Sequence, residues 1–359
     1  MKAKQLPFKT PPIIGYQSYA FPLGIAANYN NYLPWLYSNY IQLKCASNFL
    51  ERRDLWFDFL DGNVYGGIPF LEYDCYVKDD FSCSYDDLVD FIIESINRNS
   101  YIYTFVDLFY IPNTFGYQQS HFTHDILVLG YNLSENTLMI GHFDIKGSFS
   151  IFNISMIDFH RAFMSLECEQ KFVILLKMKD ENFICNLDID HIKEMLTDYL
   201  LSNEPSSRLG MDFIFQNTYH SNEAFINMST YYDEVITKMK PDRIYGLKVY
   251  DYLTQYIDCF SGNKELDFDI RPIHILWEHK KCMIMRLQYM YSNGYFTNKA
   301  NSFFEIYRQI EQKALALRNT SIKYNITKNS QLLNRLKSSL EEIRIQEYDV
   351  IPSLINEIL

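Results

Sequence analysis

The residues best equipped for chemistry are clustered in two short stretches, His121-Phe-Thr-His124-Asp125 and Gly141-His142-Phe143-Asp144. Between them run two apolar, β-prone segments, Ile126 to Leu129 and Leu138 to Ile140, separated by the polar run 132–136. That pattern reads as a β-hairpin with a five-residue connection. Pairing Tyr131 with Thr137 sets His124 opposite Asp144, and side chains that alternate with period two then project on one face. Directly opposite residues have Cβ atoms about 5 Å apart. An imidazole held by a carboxylate at that spacing is the supporting half of a nucleophilic triad. It is equally the geometry of an ordinary polar contact across a hairpin, so the pattern needs a nucleophile upstream. His121 and His124 form H-x-x-H, but in a strand these two project to opposite faces, which argues against a metal site.

The elements that must carry this pair are legible in outline. Residues 1–15 are extended and contain Pro7, Pro11 and Pro12. A helix is expected to start near Ala20–Pro22, since proline is tolerated in a first helical turn. A second is expected over 34–43. Helical spacing of Leu88, Val89, Phe91, Ile92, Ile93 and Ile96 predicts a helix over 86–97. The run 101–110 is β-prone; after the hairpin come a strand near 148–153, a short helix over 156–165 and a strand over 171–177. From about Ile189 the pattern becomes helical, with amphipathic segments over 190–201, 224–238, 244–260, 274–292, 299–319 and 330–347. The expected class is α+β, with an α+β domain over 1–188 and an α-helical domain over 189–359.

Composition narrows the function. Hydrophobic residues make up 48% and charged residues 21%, which fits a folded globular chain. A net charge of −11 lacks the basic footprint of a nucleic-acid binder and disfavours anionic membranes. No apolar run approaches a membrane span, and the N-terminus has no signal-peptide core. The seven cysteines are scattered and form no C-x-x-C, which reads as reduced thiols in a cytoplasmic protein.

Three stretches carry a resemblance to a known family: 16–45 with its run 34–43 (PWLYSNYIQL), Val106-Asp-Leu-Phe-Tyr-Ile-Pro112, and His124-Asp-Ile-Leu-Val-Leu-Gly-Tyr131 followed by Asp144. His274-Ile-Leu-Trp-Glu-His-Lys-Lys281 adds to it. Together they resemble the papain-like acyltransferases of antibiotic biosynthesis, such as the N-terminal part of the butirosin H protein and the amide-forming enzyme of closthioamide assembly. The resemblance spans most of the chain loosely. It implies a papain-like fold with a catalytic Cys at the start of an early helix, where the helix dipole and a His partner favour thiolate.

Carried onto this chain, the resemblance makes His124 the general base and Asp144 its orienter, with the nucleophile position at Ala20. Ala26 and Ala27 are alternatives, and Ser18 a further one. Gln17 would donate to an oxyanion, although a loop glutamine with no such role fits as well. No Cys precedes Cys45, which lies at the far end of 34–43. Either Ala20 replaces a Cys deliberately, or the protein is a natural pseudoenzyme. The implied activity is amide formation, moving an acyl group from the phosphopantetheine thioester of an acyl or peptidyl carrier protein to a small amine, with no further cofactor and no metal. Lys280, Lys281 and Arg286 form a basic helix face, ordinarily solvated, that could meet an acidic carrier. The rival expectations are a papain-like hydrolase and a non-catalytic scaffold.

Overall fold

The computed structural model describes residues 2–60, 68–77, 84–166, 172–205, 243–261, 266–296 and 301–359. The helix expected over 224–238 lies outside the described residues. In chain order the strands are β1 (Ala3–Gln5), β2 (Leu43–Ala46), β3 (Asp58–Phe59), β4 (Leu71–Val77), β5 (Tyr101–Asp107), β6 (Thr123–Asn132), β7 (Thr137–Phe143), β8 (Phe149–Ser155), β9 (Phe172–Met178) and β10 (Arg243–Tyr245). The helices are α1 (Gln17–Ala26), α2 (Leu33–Ser38), α3 (Phe49–Arg52), α4 (Tyr85–Asn97), α5 (Met156–Met164), α6 (Ile189–Leu201), α7 (Val249–Asp258), α8 (Arg271–Ser292), α9 (Asn301–Thr327) and α10 (Gln331–Glu357). The class is mixed α+β. Among the described residues no helix is long and apolar enough to cross a membrane.

The larger sheet is antiparallel, in the order β4-β9-β5-β6-β7-β8, with β1 added to β6. Its strands are β-branched and aromatic, and β5 is buried along almost its whole length. The two faces are covered differently. Tyr76 pairs with Val173, which pairs with Thr104, and Phe91 of α4 packs edge-on against Tyr76, 5.7 Å between centroids. That face therefore belongs to α4 and, through Tyr85 on His160, to α5. The other face carries Tyr103 and Phe149, and both contact Phe21 of α1, at 5.7 and 6.1 Å. Ser84 and Ser155 cap α4 and α5 by accepting from backbone N–H groups two or three residues on.

The hairpin forms, with one change of register. Close to the turn Tyr131 pairs with Leu138 and Asn132 with Thr137, so the connection is one residue shorter than expected. A bulge between Val128 and Gly130 then restores the expected alignment, with Val128 opposite Ile140 and Leu127 opposite Gly141. Pairing ends there, before it reaches His124 and Asp144.

The described residues divide into two units by contact: 2–30 with 68–183, and 31–60 with 184–205 and 243–359. The sequence placed the change at 188/189 and kept 31–60 with the first domain. Residues 31–60 join the helices because β2 pairs with β10 and β3, and because α8 holds their backbone. His279 donates to the Ile41 carbonyl at 2.7 Å, and Arg286 donates to the carbonyls of Tyr37 and Asn39 at 2.6 Å each. The helix expected over 34–43 accordingly ends at Ser38, and Leu43 begins a strand.

That arrangement also corrects the basic face. Lys280 is fully buried and Arg286 is 1% exposed, so neither can present charge to a carrier protein. Lys280 Nζ instead contacts both Glu347 carboxylate oxygens at 2.8 and 2.7 Å, the Tyr199 hydroxyl at 3.0 Å and His279 Nδ1 at 3.0 Å.

Candidate functional site

The site is built around the first residues of β6. Val106 pairs with His124 and Phe105 with Asp125. By strand alternation the His124 Cβ leaves on the α4/α5 face and Asp125 on the α1 face. Because β6 is no longer paired to β7 at this point, the two neighbouring side chains meet: His124 Nδ1 stands 2.8 Å from Asp125 Oδ1. The second carboxylate oxygen accepts from the Tyr103 hydroxyl at 3.1 Å. Asp125 therefore holds the imidazole, in the tautomer with Nδ1 protonated, and leaves Nε2 with its lone pair. The His124 side chain is 31% exposed.

Asp144 is not the orienter. Its carboxylate accepts from the backbone N–H groups of Lys146 and Ser148, at 2.9 and 3.0 Å, and its own N–H donates to the Ser148 carbonyl. It closes the β7–β8 turn, the usual local use of an aspartate. The residue beside His124 on the neighbouring strand is His142. Their rings meet edge-to-face with centroids 5.1 Å apart. His142 is fully buried. Its Nδ1 lies 2.6 Å from the Phe143 carbonyl, which can only accept, so Nδ1 carries the proton. Burial, and secondarily His124, push its pKa down to about 4.

The early helix begins at Gln17, a turn before its expected start. Ala20 is thus inside α1 and fully buried, not at the helix N-terminus. The start is set by Tyr16, which is extended and whose carbonyl accepts from the N–H groups of Tyr19 and Ala20. Gln17 is not a loop residue: it is 3% exposed, and neither amide atom has a hydrogen-bond partner. Ala26 closes α1 and Ala27 caps it. Since α1 covers the Tyr103/Phe149 face, the residue of the His124-Asp125 pair that projects toward it is Asp125. Ala20, His124 and Asp144 are not assembled as a triad.

Cys45 gives no substitute. Cys45 lies buried in β2 and burial pushes its pKa up to about 12, the reverse of an activated thiol. At the same end of the large sheet, His121 Nδ1 sits 2.6 Å from Asp107 Oδ2 and its ring stacks on Phe109. Burial raises the Asp107 pKa, but bonds from His121 and the N–H groups of Phe109 and Phe122 outweigh it and leave the carboxyl below its ordinary value. Among the described residues no group of three His, Cys, Asp or Glu side chains is placed to hold a metal.

Sequence reasoning passed over Asp125, His142, Tyr103 and Ser150. Asp125 was hidden by adjacency, because neighbouring strand residues are assigned to opposite faces. His142 shares the parity of His124 in the expected register and could have been found from it. Compared with the models of known protein families and with curated proteins, the chain matches none.

Proposed function

We propose that this chain is a non-catalytic relative of papain-like acyltransferases, a binding protein built on that frame. One observation carries the reading: the positions offered for a nucleophile before Cys45, Ser18 apart, are alanines, Ala20 and Ala26 within α1 and Ala27 just after it. Loss of the orienting role at Asp144 agrees with it.

A second reading is favoured by His124. Held through Nδ1 by Asp125 and bare at Nε2, it has the disposition of a general base. On that reading a Cys restored at the right place would take an acyl group from a carrier-protein thioester and pass it to an amine. Passing it to water would make the protein a thioesterase or peptidase. The experiment is to express Gln17→Cys and Ala20→Cys and expose each, beside the unaltered chain, to an acyl N-acetylcysteamine thioester. The binding-protein reading expects no acyl adduct by intact mass on any of the three. An adduct on one variant, abolished by a further His124→Ala change, would establish the acyltransferase frame and fix the nucleophile position.

A further inference from the structure

On three adjacent strands a row of hydrogen-bond acceptors lacks donors. His142 Nε2 is buried and has no partner. Ser150, directly opposite His142 in the β7–β8 ladder, has a buried Oγ that also has none. His124 on β6 completes the row, its ring 5.1 Å from that of His142. Both imidazoles are locked the same way, each Nδ1–H committed to an oxygen, Asp125 Oδ1 for one and the Phe143 carbonyl for the other. Each Nε2 is therefore an acceptor and neither can donate without taking up a proton. A buried acceptor with no donor is costly, about 1–3 kcal/mol, and a native structure that keeps one calls for a reason.

The complementary ligand must bring donors to the imidazole nitrogens, and the Ser150 hydroxyl can accept from it as well as donate. Three N–H donors on one tetrahedral nitrogen make about 2.9 Å bonds, which puts their acceptors about 4.7 Å apart. Neighbouring strands are spaced about 4.8 Å, so one ammonium can bridge adjacent members of the row, while the two ends, two strands apart at about 9.6 Å, cannot both bond it. Ligands around a tetrahedral zinc lie closer, about 3.3 Å apart for bonds near 2.0 Å. The spacing of the row favours an ammonium over a metal. Charge agrees: Asp125 and Asp107 stand at this end of the sheet, and among the described residues their ion-pair partners are histidines, not Lys or Arg.

We propose that Ser150 and His142 form a binding site for the primary ammonium group of a small molecule. The part-exposed His124 ring is its mouth, and His142 Nε2 its inner wall. The neutral state of His142, kept by burial, preserves the acceptor across physiological pH. The site stands without any acyl chemistry. If the second reading of the function holds, this is where an amine substrate would rest.

The test uses the full chain labelled with [15N]histidine, titrated at pH 7.5 with n-propylamine and followed through long-range 1H–15N correlations. A saturable upfield movement of the His142 Nε2 resonance is expected. Tetramethylammonium, which has charge but no N–H, should leave it in place. Ser150→Ala should weaken propylamine binding about tenfold to a hundredfold, the worth of one hydrogen bond to a charged group. Ser150 sits on the less buried strand, so this variant is expected to fold where a His142 variant could fail. No saturable movement, an equal response to tetramethylammonium, or unchanged affinity in Ser150→Ala would each overturn the site. Zinc chloride that moves both Nε2 resonances and displaces propylamine would overturn it in favour of a metal. No acyl donor or restored Cys enters this experiment, so its failure leaves the thioester result untouched.

Discussion

At the scale of single residues, chemistry follows from which carboxylate reaches an imidazole. Asp125 holds His124, and Asp144 holds a turn. Asp125→Asn should therefore release His124 from its single tautomer, seen as 15N shifts of Nδ1 and Nε2 moving toward each other. Asp144→Asn should leave those shifts alone and cost about 1 kcal/mol through the turn. The reverse pattern would reinstate the hairpin triad. His142 supplies a pH test. Its folded-state pKa of about 4 lies below the ordinary 6.5, so the unfolded chain takes up the proton first. Stability from keeping it neutral is complete above pH 6.5 and is lost as pH falls toward 4. The full loss is on the order of 3 kcal/mol. His279 shifts in the same direction, so the measurement is a difference. Urea melts of the parent and His142→Gln at pH 7.5 and 4.5 should show the parent losing more stability on acidification. Parallel losses would mean that His142 is not held neutral by the fold.

At the scale of elements, long periodic segments were legible and short or switched ones were not. The helix over 86–97 lies within a residue of expectation, and the β-prone run 101–110 starts its strand where expected but turns away after Asp107. The segment 34–43 reads as one helix but breaks at Ser38, since its last residues are drawn into pairing with distant strands. The register of the hairpin was right beside the site for a reason the sequence hides: a shorter turn and a bulge compensate each other. The start of α1 was missed by a turn because Tyr16 is no standard N-cap and bonds through its backbone alone. Gly24, inside α1, tests how this helix is seated. A Cβ there would lie 2.1 Å from the Phe8 ring, which itself stacks on Phe149 at 5.8 Å. Alanine in a helix interior normally gains about 1 kcal/mol over glycine. Overpacking of 1–3 kcal/mol should reverse that sign. Gly24→Ala is expected to lower the urea midpoint and move the Phe8 ring resonances. A raised midpoint would show that Phe8 swings aside freely and does not anchor the N-terminal segment.

At the scale of the whole chain, the sequence hides which residues fold together and which charges face inward. Residues 31–60 share their contacts with those beyond 184, so a cut at 188/189 divides a unit and is expected to give misfolded product. The basic stripe on α8 looked solvated because Lys and Arg are rarely buried unless paired, and the partners are remote in sequence. Glu347 is 67 residues from Lys280. Tyr199 and Tyr250 donate to the same Glu347 oxygen at 2.9 and 2.7 Å, tying α6, α7, α8 and α10 at one buried point. Lys280→Met removes the cation and leaves the fully buried carboxylate with only neutral donors. Breaking such a pair costs about 3–5 kcal/mol. Adding Glu347→Gln removes the stranded charge while keeping an oxygen for the two tyrosines, so the double variant should recover part of the loss. Full recovery is not expected, since His279 Nδ1 still loses its Lys280 donor. Chemical denaturation of the full chain should rank parent, double variant, then Lys280→Met. A single variant within about 1 kcal/mol of the parent, on the scale of an exposed pair, would mean that water reaches Glu347 and that this network is not the interior of its unit.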